Sequence, residues 1–326
     1  MRILLSRTDR IGDLVLSTPA IATVRASFPD AHITMVTSAY NRVAVERNGD
    51  VDEVVDLPLG VKPQAFGARY RGYDLAVALA PRATDVRLVG GTRASLRVGY
   101  TYVRRYLARL TAPLYLNRTM LSQADPDLCE RDPSLVVRHE VDQLLDLVEL
   151  GGATQRVARL RLDVNDADRA ALGRMPAGSI VLHLGGRWFH DGSTLGSTVE
   201  LARGLRTLGR PLTITYAPDC KREAAAIERA GVADAMLTDL PFYQWAAAFE
   251  KASCIVTVDT GATHVASAMR RPTVVVYEHR HFRLCSQEWA PYGVPYAAVR
   301  KPANDDDASL ARLRAAIVAA VTTLME

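Results

Sequence analysis

The stretch Val256-Thr257-Val258-Asp259-Thr260-Gly261-Ala262-Thr263-His264 decides how this chain is read. It closes an almost wholly apolar run, Cys254 to Val258, of the kind that forms a strand buried on both faces. Asp-Thr-Gly then turns the chain, and apolar residues recur at helical spacing from Ala262 to Met269. A strand, a tight glycine turn and a helix N-terminus make an anion site. The N–H groups of the first helical turn have no partner within the helix, and the helix dipole adds to their positive potential. Arg10-Ile11-Gly12-Asp13 forms a second such junction, between a strand Arg2–Ser6 and a helix Leu14–Phe28. Two junctions about 250 residues apart predict two nucleotide-type halves that face one cleft.

Working outward, the first half alternates strand and helix. Ile33–Thr37, Val51–Leu57 and Tyr73–Ala80 read as strands, and Asn41–Arg47 and Glu140–Leu150 as helices, the latter closed by Gly151-Gly152. Residues 82–138 read as loop-rich and basic, with Arg87, Arg93, Arg97, Arg104, Arg105, Arg109 and Arg118 interleaved with tyrosines. That segment is either a solvated face or a surface for an anionic acceptor. The second half restarts the alternation with strands Ile180–Leu184, Leu212–Tyr216, Cys254–Val258 and Thr273–Tyr277. Between them lie helices Thr198–Leu208 and Arg222–Ala230 and a helical pattern over Leu240–Phe249. The expected class is α/β with parallel, doubly wound sheets. The domains are expected at 1–160 and 161–326, with a last helix, Leu310–Leu324, that could return to the N-terminal domain.

Composition narrows the class. The chain has 326 residues, 48% hydrophobic content and a net charge of +4, which suits two globular domains and does not call for nucleic acid as a partner. Lysine occurs only at Lys62, Lys221, Lys251 and Lys301. Arginine carries the remaining positive charge, through codon bias or through recognition of carboxylates and phosphates. Cys129, Cys220, Cys254 and Cys285 form no CxxC pair, which fits a reducing compartment and no zinc site. Ile3-Leu4-Leu5 is too short for a signal peptide, and no apolar run reaches the ~20 residues of a membrane span. A cytoplasmic protein follows, one that could still touch the membrane face.

Several landmarks occur in order. Arg7-Thr8-Asp9-Arg10-Ile11-Gly12-Asp13 continues into Leu14-Val15-Leu16-Ser17-Thr18-Pro19-Ala20. After it come Tyr73-Asp74-Leu75-Ala76-Val77-Ala78-Leu79, Arg97-Val98-Gly99-Tyr100, His139-Glu140 and His183-Leu184-Gly185-Gly186. The last are Val258 through His264 and Pro272-Thr273. As an ordered set they resemble the lipopolysaccharide heptosyltransferases, glycosyltransferase family 9, over nearly the whole chain. The resemblance implies a GT-B fold of two facing Rossmann-like domains, acceptor on the first and nucleotide sugar on the second. It also implies inverting, metal-independent transfer of a sugar, usually heptose from ADP-heptose, onto the inner core of lipopolysaccharide. No cofactor beyond the nucleotide-sugar donor is implied. The partners are that donor and an anionic saccharide or lipid-linked acceptor, with peripheral contact at the inner membrane.

The same resemblance carries roles onto residues. Asp13 would be the general base on the acceptor hydroxyl, because an inverting transfer needs a base opposite the leaving group. Its other reading is a plain N-cap, and a helix N-terminus would weaken it as a base. Asp259, Thr260, Gly261, Thr263 and His264 would hold the donor, with the diphosphate on the turn's N–H groups. His264 also reads as a structural histidine. Gly12, Arg10, Arg82, Arg97 and Arg104 are the acceptor candidates. Family members usually carry a lysine, often just before Trp-Pro, where this chain reads Arg187-Trp188-Phe189-His190-Asp191-Gly192. Either Arg187 or His190 has taken over that charge, or the donor chemistry has changed. Where the family places a glutamate near the ribose, Asp219 and Glu223 remain alternatives. Glu278-His279-Arg280-His281 reads as a donor-sugar contact more readily than as a metal cluster.

Rival readings are a divergent transferase with another nucleotide sugar and acceptor, for capsule or natural products, and a non-catalytic nucleotide-sugar-binding protein. A nicotinamide oxidoreductase is disfavoured, because no G-x-G-x-x-G follows the first strand.

Overall fold

Each half of the chain folds its apolar runs into one six-stranded parallel sheet. The computed structural model describes residues 1–190 and 194–326 and separates into two units, Met1–Leu162 and Asp163–Glu326. In the first unit the strands are β1 (Arg2–Ser6), β2 (His32–Thr37), β3 (Glu53–Asp56), β4 (Leu75–Ala78), β5 (Leu96–Tyr102) and β6 (Arg118–Ser122). They lie in the order β3-β2-β1-β4-β5-β6. In the second unit they are β7 (Ile180–Leu184), β8 (Leu212–Tyr216), β9 (Ala235–Leu237), β10 (Cys254–Val258), β11 (Thr273–Tyr277) and β12 (Tyr296–Arg300). Their order, β12-β11-β10-β7-β8-β9, is the same winding repeated. The expected α/β class with two Rossmann-like parallel sheets is borne out.

This winding positions the sites. Each sheet starts in its middle, winds to one edge, then crosses back to the other. The strand order therefore reverses between β1 and β4, and between β7 and β10. Loops leaving the carboxyl ends of those strands diverge to opposite faces and leave a crevice there. Leu4, Leu5, Val77 and Val256 are fully buried, so the strands under each crevice are rigid.

Three expectations need correction. Residues 82–138 are not mainly loop: they hold a helix Ala83–Thr92, then β5, a short helix Tyr106–Thr111 and β6. The arginines concealed the period of two carried by Leu96, Val98 and Tyr100, and β5 pairs with β4 by that register. The helix expected at Leu14–Phe28 is two, Ile11–Leu16 and Thr18–Ser27. Pro19 has no N–H to give to Val15 O, and the Thr18 hydroxyl donates there instead, at 2.7 Å. The last helix, Asp307–Met325, is long and apolar enough by length and composition to cross a membrane. It stays with the second unit, where Leu313, Ile317 and Val321 are buried in the core beside Val256 and Val274. An apolar stripe at this spacing must be covered, and its own sheet covers it.

Within the first unit, the helices Pro63–Gly67 and Ala83–Thr92 cross at their glycines. A Cβ on Gly67 would stand 2.0 Å from Leu88 O, and one on Gly91 2.1 Å from Gln64 O. Backbone touches backbone there, so neither glycine tolerates a side chain.

Candidate functional site

The first crevice is built on Arg7, the residue after β1. Arg7 is 2% exposed and reaches three carboxylates: Asp9 at 3.1 Å, Glu140 at 2.9 Å and Asp13 at 3.4 Å. It also donates to Leu79 O at 2.8 Å. Burial opposes its charge, but Asp9, Glu140 and Asp13 together hold its pKa well above the ordinary value. Glu140 opens the helix Glu140–Leu150 and also accepts from the Tyr100 hydroxyl at 2.8 Å. One guanidinium thus ties β1, β5 and two helices together at the carboxyl edge of the sheet.

Asp13 is not an N-cap. The helix begins at Ile11 with Arg10 at the cap position, so Asp13 is its third residue and its carboxylate caps nothing. Its pKa is pushed up to about 6, first by burial, against the pull of Arg7, with Asp9 and Glu140 adding to the rise. Helix-dipole weakening of this base, expected from its position, is outweighed by desolvation. The side chain keeps 19% of its surface exposed, so solvent-borne groups reach it. On the other side of the reversal, Asp85 in the helix after β4 accepts from Ser6 Oγ at 2.7 Å and Thr8 Oγ1 at 3.1 Å. Burial raises its pKa to about 6 as well.

The acceptor candidates divide. Gly12 is buried beside Asp13; Arg10 and Arg82 are exposed at the helix starts that follow β1 and β4. Arg104 follows β5 at the same edge and pairs with Asp125 at 3.2 Å. Arg97 is not brought there. It sits near the start of β5, and its guanidinium is held by Tyr115 O at 2.8 Å and Ala94 O at 2.6 Å. Its work is to fix loops at the far edge.

The second crevice is built on the turn after β10. Thr260 caps the helix Gly261–Ala268 by backbone geometry, so the turn presents first-turn N–H groups that the helix cannot use. The threonine hydroxyls turn back onto the strand. Thr260 Oγ1 and Thr263 Oγ1 both donate to Val258 O, at 3.2 and 3.4 Å. Thr263 is fully buried and His264 is 5% exposed, so both lie inside the fold, and the turn's surface consists of Asp259, Thr260 and Gly261. Across the reversal, Gly185 lets the loop after β7 approach this turn: a Cβ there would meet Thr260 Cγ2 at 3.3 Å. Trp188 anchors that loop by donating to His183 O at 2.9 Å.

The charges around this turn form a chain. Arg187 is ion-paired to Asp259, which answers what Asp259 does there: it holds the guanidinium at the turn. The Arg187 carbonyl accepts from Lys301 Nζ. Lys301 follows β12, is 1% exposed and pairs with Glu278 at 3.2 Å. Glu278 in turn faces His190 Nδ1 at 3.5 Å. Arg187 and Lys301 are thus each matched by a carboxylate, Asp259 and Glu278. Asp191 and Gly192 lie outside the described residues. Of the two ribose candidates, Asp219 comes to the crevice: its carboxylate would be 2.8 Å from a Cβ on Gly186. Glu223 lies in the first turn of the following helix. Among the described residues no group of three or more His, Cys, Asp and Glu is placed to hold a metal.

Sequence reasoning passed over Arg7, Glu140 and Tyr100 as site residues, though all three stood in the quoted landmarks. It also missed Lys301, whose signal was rarity: a lone lysine near the chain's end, after a strand, β12, that was not expected.

Residues 202–313 match the model of Glycosyltransferase family 9 (heptosyltransferase). That span contains the Asp259 turn, Glu278 and Lys301, and leaves Asp13 outside. No curated protein matches this chain by sequence. Among solved structures, a glycosyl transferase family 9 protein from Veillonella parvula superposes with a TM-score of 0.78 at 17% identity, over 99% of this chain and 97% of that one. The E. coli ADP-heptose lps heptosyltransferase II gives 0.74 at 18% identity, over 100% and 98%. The E. coli heptosyltransferase WaaC with ADP gives 0.72 at 20% identity, over 99% and 100%. The resemblance read from the sequence is thereby borne out: residues 202–313 match the glycosyltransferase family 9 model, and the chain shares the GT-B fold of the solved heptosyltransferases.

Proposed function

We propose that this protein is an inverting glycosyltransferase that moves a sugar, heptose from ADP-heptose, onto an anionic saccharide acceptor such as the inner core of lipopolysaccharide. The observation that carries the reading is Asp13: a carboxylate at the reversal point of the first sheet, raised by burial to about 6 yet reachable from solvent. A base of that strength is mostly ionised at neutral pH and still accepts a proton readily.

In this reading the second unit holds the donor. The free N–H groups at Thr260 and Gly261 and the dipole of the helix behind them receive the diphosphate, and Arg187, held by Asp259, stands beside them. Asp13 takes the proton of an acceptor hydroxyl. The hydroxyl oxygen forms its bond to the anomeric carbon as the bond from that carbon to the diphosphate oxygen breaks, and the configuration inverts. The nucleoside diphosphate leaves with both electrons of that bond, stabilised by oriented dipoles and cations. Arg10 and Arg82 meet the acceptor's negative charge. The work is cytoplasmic, at the membrane face where a lipid-linked acceptor is available.

A second reading, a transferase for another nucleotide sugar, is favoured by one observation. Neither candidate for the family lysine's charge stands without an acidic neighbour: Arg187 is paired with Asp259, and His190, nearest the lysine's place, faces Glu278. Calorimetry with ADP-, UDP-, GDP- and dTDP-sugars, on wild type and Gly261→Trp, separates the two. Selective binding of ADP-heptose, lost in the variant, supports the first. Selective binding of another donor supports the second, and no binding to any sinks both.

A further inference from the structure

Four large apolar side chains stand in solvent on one short segment of the first unit. Tyr106 is 65% exposed, Leu107 79%, Leu110 76% and Leu114 76%. They belong to the helix Tyr106–Thr111 and the single 3₁₀ turn Ala112–Leu114 that continues it. Leu107, Leu110 and Leu114 recur at i, i+3 and i+7, the spacing of one helical face. Ala112 turns the other way and is buried. Soluble proteins rarely leave such a contiguous apolar ridge uncovered, and one rimmed by polar groups marks a contact surface.

The rim is positive. From Val86 to Ala124 the chain has seven arginines and no Asp or Glu. Two of them flank the ridge, and both are exposed. Arg105 lies over the Tyr102 ring at 4.8 Å and donates to Pro81 O; Arg109 donates to Val103 O. Each is tethered by its backbone or ring partner, and neither is paired with a carboxylate among the described residues. Their charge is therefore available to a partner.

We infer that this segment is a membrane-docking surface that inserts Leu107, Leu110 and Leu114 among the acyl chains of an anionic bilayer while Arg105 and Arg109 meet its lipid phosphates. Apolar side chains with arginines beside them divide naturally across the headgroup boundary. A second copy of this chain fits the surface poorly, because a two-fold contact brings the same arginines against each other. A free saccharide leaves the leucines in water. The inference extends the proposed function by naming the residues that bring the enzyme to a lipid-linked acceptor, and it rests on that reading for its purpose, while lipid contact itself requires no donor.

The test is flotation of the full-length protein with phosphatidylcholine vesicles, with and without about a third phosphatidylglycerol. Wild type is expected to float with the anionic vesicles only. Leu107→Ser with Leu110→Ser should lose at least about tenfold in partitioning, and each of Arg105→Gln and Arg109→Gln about fivefold, with thermal midpoints unchanged because all four side chains are exposed. Failure of wild type to float, or equal flotation of wild type and the double serine variant, would overturn the inference. So would a wild-type dimer in sedimentation that the serine pair dissolves, since the surface then belongs to a second copy. Donor calorimetry on the same samples keeps the two proposals apart. Flotation lost with donor binding intact sinks the docking surface alone, and donor binding absent with flotation intact sinks the transferase reading alone.

Discussion

Asp13 and Glu140, 127 residues apart in the chain, share one buried guanidinium: Arg7 Nη2 stands 3.4 Å from Asp13 Oδ1 and Nη1 2.9 Å from Glu140 Oε1. Glu140 takes the shorter contact and the Tyr100 hydroxyl besides. Asp13 is left with the longer, weaker contact. Burial can then lift its pKa into the range of a working base, which a full bidentate pair with Arg7 would prevent.

Removal of that base should be severe and confined to turnover. Asp13→Asn is expected to lower kcat by roughly 10²–10⁴ while donor affinity, read by calorimetry, holds. In wild type, kcat/KM should fall as pH drops through about 6, the value to which burial raises this carboxyl. A flat profile between pH 5 and 8 would remove Asp13 from the reaction.

Glu140 should tune that limb. With Glu140→Gln, one cause of the raised Asp13 pKa disappears and Arg7 turns more fully to Asp13, so the acid limb moves to lower pH. Breaking a buried pair by removing one partner also costs about 3–5 kcal/mol, measurable by urea denaturation. An unchanged limb in a folded variant would mean the two carboxylates are not coupled.

Asp85 predicts an unusual pH dependence of stability. Its folded pKa, about 6, lies above the 3.8 of an unperturbed aspartate. Between those values the native state binds more protons than the unfolded chain, so this carboxyl's contribution is fully present below 3.8 and is lost as pH rises through 6. Urea midpoints of wild type should fall relative to Asp85→Asn over that window. Parallel pH curves for the two proteins would refute it.

Lys301→Met should weaken donor binding about tenfold, since the Arg187 loop loses its tether, and should destabilise the second unit by about 1–3 kcal/mol as Glu278 loses a partner. Lys301→Arg cannot fit the same buried space and should not restore binding. Donor affinity equal to wild type in a folded Lys301→Met would make the lysine purely structural.

Gly91→Ala tests the packing independently of any site. With Gln64 O only 2.1 Å from the new Cβ, the two helices must separate, at a cost of about 3 kcal/mol or more. A thermal midpoint within a degree or two of wild type would show that this crossing is looser than the structure has it.

Much of this protein was legible in its order of residues. The strands Ile180–Leu184, Leu212–Tyr216, Cys254–Val258 and Thr273–Tyr277 stand where apolar runs of five residues put them, because a strand covered on both faces can tolerate little else. The helix Glu140–Leu150 was equally plain from its stripe and its glycine stop. β5 and β6 were obscured by arginines, and β9 and β12 by being short or half-exposed edge strands with weak patterns. Local pattern also named Asp13 and the Asp259 turn, since a strand-to-helix junction is a local event.

The electrostatics came only with tertiary structure. Whether Asp13 is a cap or a buried base depends on Arg7 and Glu140 meeting it from other elements. Whether Arg187 offers free charge depends on Asp259, and on a lysine that arrives from a strand more than a hundred residues later. Hydrophobic period is written along the chain because each residue carries its own preference for burial. A pKa or an ion pair belongs to a distance, and the distances here are set by the winding of two sheets.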